Sequence, residues 1–161
     1  MPIDVSNRIT ALQAELQKQQ LDAAMFYDRE NLIYFAGVDN LEGGCLIVPA
    51  KGEPKLLCPW LDTPHMKETS GISDVEAYHF PGMNVSLAAA QALEKMGLKN
   101  PRLGFTRYFI SLKDYQMLRQ VHPDMVVGDI AETAYRLRAV KDAGELEKMA
   151  KAAAFVAEGM K

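Results

Sequence analysis

The sequence predicts an α/β layered domain built on a mixed sheet of five or six strands with flanking helices. Three observations carry this. Short apolar runs alternate along the chain with longer segments whose apolar residues recur at helical spacing. The turn Lys51-Gly52-Glu53, set between Pro49 and Pro54, joins two such runs as a hairpin, so part of the sheet is antiparallel. No internal repeat breaks the order α, β, short α, β, β, α, β, α, β, α, β, α.

The elements follow in turn. Ser6 is positioned to cap a first helix with Ile9, Leu12 and Leu16 on one side and Leu21 just beyond its polar end. Residues 22–27 form a mostly apolar run suited to a buried strand, ended by turn residues at 28–31. Asn31-Leu32-Ile33-Tyr34-Phe35-Ala36 reads as one helical turn stopped by Gly37. After the loop 38–44 come strands at 45–48 and 55–58, then a short helix at 63–69 with Pro64 in its first turn. A strand at 75–78 precedes a helix at 84–96, where Leu87, Ala88, Ala92, Leu93 and Met96 share a face and Gly97 terminates it. Residues 102–105 form another strand, and Ser111 caps a helix through Leu118 and Val121 that His122-Pro123 ends. A last strand at 125–127 leads to a short helix at 129–137.

Beyond a joint at 138–141 the pattern changes. Asp142 and Glu145 form a cap and N3 pair, and Leu146, Met149, Ala153, Val156 and Met160 draw one apolar stripe along a helix that nothing in the chain follows to cover. An apolar stripe without a cover implies a missing partner. The expected division is therefore a domain over 1–137 and, over 138–161, a connector with the start of the first helix of a further domain.

Composition excludes several classes. In 161 residues, 48% hydrophobic and 24% charged content is that of a globular domain. No stretch reaches the roughly 20 apolar residues of a bilayer span and the amino terminus is no signal peptide, so a cytoplasmic protein without membrane partner is expected. Lys plus Arg of 18 against Asp plus Glu of 21 leaves a net charge of -3, which offers no footprint for nucleic acid. Cys45 and Cys58 lie in apolar runs without redox or zinc spacing, and read as buried thiols. His65, His79 and His122 show no metal-ligand spacing, and GxSxG, GxGxxG and P-loop patterns are missing. The loops 27–31, 38–44 and 59–62 are expected to gather at one sheet end, where α/β proteins place ligands.

Two segments resemble a known family. Asp22-Ala23-Ala24 followed by Asn31-Leu32-Ile33-Tyr34-Phe35-Ala36-Gly37 is similar to a signature in the amino-terminal domain of creatinases, prolidases and Xaa-Pro aminopeptidases. Leu137-Arg138-Ala139-Val140-Lys141-Asp142-Ala143-Gly144-Glu145-Leu146 resembles that family's joint with its pita-bread metallohydrolase domain. Ala36, Asp142 and Gly144 depart from the usual pattern and leave the subfamily open. The resemblance implies a creatinase-type amino-terminal fold with a ribonuclease-H-like motif. It implies no cofactor in this chain, two divalent metal ions in the parent protein's carboxyl-terminal catalytic domain, a homodimer, and no catalysis by this part alone. By position, Tyr34, Asp39, Asn40, Glu42 and Trp60 are the candidates for gating substrate at a neighbouring active site. The rival implication is a noncatalytic interaction module, or a hydrolase of the creatinase or ectoine-hydrolase type.

Overall fold

The computed structural model describes residues 3–38, 41–106 and 110–161. Thirteen elements follow the expected order: α1 (Ser6–Lys18), β1 (Ala23–Phe26), α2 (Arg29–Ala36), β2 (Cys45–Pro49), β3 (Lys55–Pro59), α3 (Thr63–Thr69), β4 (Asp74–Tyr78), α4 (Val85–Lys95), β5 (Arg102–Phe105), α5 (Leu112–Val121), β6 (Val126–Asp129), α6 (Ala131–Ala139) and α7 (Ala143–Gly159). The strands form one sheet in the order β4-β3-β2-β1-β5-β6. β2 runs antiparallel to both of its neighbours, and the other pairs are parallel. The sheet is thus mixed, with six strands.

Both faces are covered, and strand alternation decides what goes where. Ala24, Phe26, Leu46, Val48, Leu56 and Cys58 point to one layer with Leu12 and Leu16 of α1, Phe35 of α2 and Met66 of α3. Ala23, Met25, Cys45, Ile47, Leu57 and Leu103 point to the other, against Ala89, Ala92 and Leu93 of α4 and Leu118 of α5. The result is an α/β/α sandwich with β1 and β2 wholly buried at its centre.

The boundaries correct the sequence reading in four places. Ser6 is the first residue of α1 and not its cap; the Asp4 carboxylate accepts from the Ser6 backbone N–H at 2.9 Å and from its hydroxyl at 2.6 Å. α2 has eight residues, more than one turn, because Asp28 caps it by accepting from the Asn31 N–H at 3.1 Å. Gly37 closes α2 in the left-handed conformation, φ 67°, as expected. β6 is shifted to Val126–Asp129 and α6 to Ala131–Ala139, since the Ile130 N–H still donates to the Phe105 carbonyl at 2.9 Å.

His122 is buried between α4 and α5. Its Nδ1 accepts from the Asn100 N–H at 3.3 Å, so Nε2 carries the proton and donates to the Ala90 carbonyl at 3.0 Å. α7 is a regular helix with the predicted Asp142–Glu145 capping box. None of its residues is buried; Leu146, Met149, Val156 and Met160 are 56%, 53%, 61% and 78% exposed, so the stripe is uncovered within this chain.

Candidate functional site

Strand register brings the expected loops together. Phe26 at the end of β1 pairs with Leu46 near the start of β2, and Cys45 at that start pairs with Leu57 near the end of β3. The loops 27–31, 38–44 and 59–62 therefore leave the same end of the sheet. Parallel pairing adds the ends of β4, β5 and β6 to them.

At this end β3 and β4 carry an aromatic patch. The Trp60 N–H donates to the Tyr78 carbonyl at 3.0 Å, extending the ladder past Pro59. Its ring then stacks on His79 at 6.1 Å between centroids and 22° between planes. Trp60 is 47% exposed, and Leu61 and Phe80 beside the two rings are 70% and 68% exposed. Large apolar side chains adjacent on a surface mark a place where something docks.

Glu42 is exposed on the loop that borders this patch. The loop is held by the Tyr78 hydroxyl, which donates to the Gly43 carbonyl at 2.7 Å. Gly43 has φ 70°, and a Cβ there would lie 2.8 Å from the Tyr78 oxygen, so no other residue fits without displacing that anchor. Asp39 and Asn40 lie outside the described residues.

Tyr34 belongs to a different setting. Its ring packs edge-on against Phe35 at 4.8 Å, Arg8 lies over it at 4.4 Å, and its hydroxyl donates to the Leu137 carbonyl at 2.8 Å. Burial raises its phenol above the ordinary range, the Arg8 charge opposing. It lines a groove of about 680 Å³ with Arg8, Arg138, Asp142 and Glu145, where α1 and α2 meet α6 and α7. The sequence-predicted residues thus fall into two groups: Glu42 with Trp60 at the loop end, and Tyr34 at the joint.

Leu61, His79 and Phe80 were not singled out from the sequence. The adjacent Trp60-Leu61 pair directly after a strand was an available signal, but the partnership with residues 79 and 80 depends on the β3–β4 pairing. Arg8 had no signal, because its partners are distant in sequence, Tyr34 by 26 residues and Asp142 by 134.

The chemistry open to these groups is packing and recognition. Burial pushes the Cys45 thiol up to about 12, the Tyr27 hydroxyl opposing, and a thiol so held is no nucleophile near neutrality. Burial likewise raises Cys58, against the Thr63 hydroxyl at 3.4 Å. Among the described residues no group of three or more His, Cys, Asp or Glu is placed to hold a metal ion. The described side chains here do not fit a two-metal centre. Among the described residues no helix is long and apolar enough to cross a membrane.

Comparison with known proteins bears on the same point. Residues 8–140 match the family model described as the Creatinase/Prolidase N-terminal domain. An uncharacterised peptidase of Staphylococcus saprophyticus is 28% identical over 148 residues, covering 90% of this chain and 40% of the relative. The chain thus spans about 40% of the length of the curated relative it matches. The N-terminal domain of a cytoplasmic peptidase from Mycobacterium tuberculosis superposes with a TM-score of 0.68 at 18% identity, over 81% of this chain and 98% of that one. A Xaa-Pro dipeptidase from Bacillus anthracis superposes with a TM-score of 0.76 at 12% identity, over 89% of this chain but 38% of that one.

Proposed function

Since this chain belongs to the Creatinase/Prolidase N-terminal domain family, we propose that it is the dimerising and substrate-gating domain of a metal-dependent, Xaa-Pro peptidase-like hydrolase. The observation that carries the reading is the asymmetry of coverage: the chain accounts for 98% of a relative's isolated N-terminal domain but 38% of a whole Xaa-Pro dipeptidase. The hydrolytic centre then belongs to a carboxyl-terminal catalytic domain, which would hold the two divalent metal ions. Such ions would supply hydroxide at neutral pH, and among the described residues no cluster is placed to hold them.

The boundary is placed near residue 138. Support comes from the family match, which stops at 140, and from α7, which buries nothing. Gating is assigned to the loop end of the sheet. Trp60, Leu61, His79 and Phe80 present an exposed, largely aromatic face there, with Glu42 at its border; Asp39 and Asn40 are kept as gating candidates by their place in the sequence near Glu42. A rigid stacked pair narrows a substrate channel at low entropic cost, because neither ring must be immobilised on binding. Tyr34 stands apart from this face, at the joint with α6 and α7. A cytoplasmic location accords with the description of the mycobacterial relative.

The test is hydrolysis. The chain as it stands, supplied with Mn²⁺ or Co²⁺ and Xaa-Pro dipeptides, is expected to release no amino acid, and metal-dependent turnover would overturn the assignment. In the full-length protein Trp60→Ala is expected to change selection for peptide length through KM while leaving kcat for dipeptides near that of the parent. An unchanged length profile would remove Trp60 from the gate.

A further inference from the structure

The seventeen residues of α7 bury none of their side chains, yet the first turn of the helix is gripped at a single point. Arg8, on α1, reaches across the joint. Its Nη2 lies 2.8 Å from Asp142 Oδ2 and 3.5 Å from Glu145 Oε1, the two members of the α7 capping box. Its Nη1 donates to the Tyr34 carbonyl at 2.9 Å, and its guanidinium sits 4.4 Å above the Tyr34 ring. The Arg8 side chain is only 15% exposed and so is held in one place, while Asp142 and Glu145 are 55% and 25% exposed and their charges are partly screened by solvent.

The neighbouring contacts hold the other side of the joint. Tyr34 Oη donates to the Leu137 carbonyl near the end of α6 at 2.8 Å, and Arg138 Nη1 donates to Asn31 Oδ1 at 3.3 Å. α6 is thereby anchored to α2, and three residues separate its end from the start of α7, among them Val140, which is 80% exposed. The short connector 140–142 has no apolar anchor of its own. A planar cation that stacks on a ring and spends both amino groups on separate acceptors is a task for arginine, and lysine cannot repeat it.

We propose that Arg8 is a latch that sets the direction in which α7 leaves the sheet domain, and that α7 swings as a rigid rod about residues 140–142 when the latch opens. Seventeen residues of helix are about 25 Å long, so a rotation of roughly 20° at the joint moves the far end by about 9 Å. Any body seated on the exposed stripe of Leu146, Met149 and Val156 would be carried by that arc. The inference stands on the joint alone and survives if the gating assignment fails.

The experiment measures the angle as a distance. Nitroxides are placed at Glu94→Cys, an exposed position of α4, and at Ala152→Cys on α7, the native Cys45 and Cys58 being buried. Pulsed electron resonance on the chain is expected to give one narrow distance distribution. Arg8→Lys and Arg8→Ala should at least double its width. The double variant Asp142→Asn with Glu145→Gln keeps residues that can cap and complete the box, so α7 stays helical, yet it should also broaden the distribution. Lys151→Gln, which loses only an ion pair with Glu147 inside α7, should change nothing. The double variant lies on an exposed helix and decides the matter should the Arg8 variants fail to fold. A broad distribution in the parent chain, unchanged widths in the variants, or broadening accompanied by loss of α7 amide protection would each overturn the latch.

Discussion

β1 and α7 stand at opposite ends of what holds a segment in place. The four residues of β1 are all buried, paired with β2 on one side and β5 on the other, and packed on both faces. The seventeen of α7 are helical through local hydrogen bonds, a capping box and Arg8. Regular backbone structure is therefore no measure of integration. β1 is fixed by apolar area and α7 by directional polar contacts at one end, so the first should resist perturbation cooperatively and the second should yield locally.

The largest expected effect sharpens this contrast. Phe26 is fully buried and stacks on Phe35 at 4.9 Å, so Phe26→Ala should cost about 3–5 kcal/mol in urea unfolding. Leu146→Ala removes a smaller, aliphatic group from the exposed face of α7 and should stay within about 0.5 kcal/mol. Equal costs would erase the distinction.

The contrast also shows which features were legible. Strands and core helices were readable because burial on both faces writes itself as apolar runs and stripes: residues 23–26, 45–49 and 85–95 all lie within about a residue of where periodicity put them. The same rule found the uncovered stripe of α7. Ser6 was misread because its hydroxyl is taken by Asp4, and α2 was underestimated because the cap at Asp28 reads equally well as a turn residue. The candidate site was legible only in part. The shared sheet end followed from where α/β proteins place their loops, and Trp60 from its place in one of those loops, but the pairing of Trp60 with His79 and the grip of Arg8 on Asp142 join residues with no local relation.

A middle-sized effect belongs to Asp28, which caps α2 and accepts from the Thr106 hydroxyl at 3.2 Å in a buried position. Asp28→Ala should lower stability by about 1–2 kcal/mol, and Asp28→Asn by less, since an amide still caps. Thermal or urea unfolding of the two variants separates capping from charge.

A smaller effect depends on pH. On the exposed edge, Glu76 meets Lys95 at 2.6 Å and Lys55 at 2.9 Å. The Lys95 ammonium first, against the cost of burial, and then Lys55 hold the Glu76 carboxyl below its ordinary range. Burial opposes the Lys55 charge, but Asp74 and Glu76 outweigh it and raise that amine. A carboxyl lowered in the folded state stabilises above its unfolded value and loses that contribution as pH falls through the folded one. The difference between the parent and Glu76→Gln, less than about 1 kcal/mol at pH 7, should therefore shrink as pH falls below the ordinary carboxyl value of about 4.3 and be lost below the lower folded one. A difference that persists at pH 2 would mean that packing, and not charge, is at work.

The smallest effect on the whole and the sharpest locally is expected from Asp142→Ala. Arg8 first, then the Glu145 N–H, hold the Asp142 carboxyl below its ordinary range. Its loss should speed amide exchange in the first turn of α7 and leave exchange in β1 untouched.

A chain ending at residue 141 tests most directly the claim that α7 is aimed by the sheet domain without being part of its core. Urea unfolding of that shortened chain should show a midpoint and slope close to those of the 161-residue chain. Loss of a large share of the roughly 5–15 kcal/mol by which such domains are stable, or failure to fold, would contradict it.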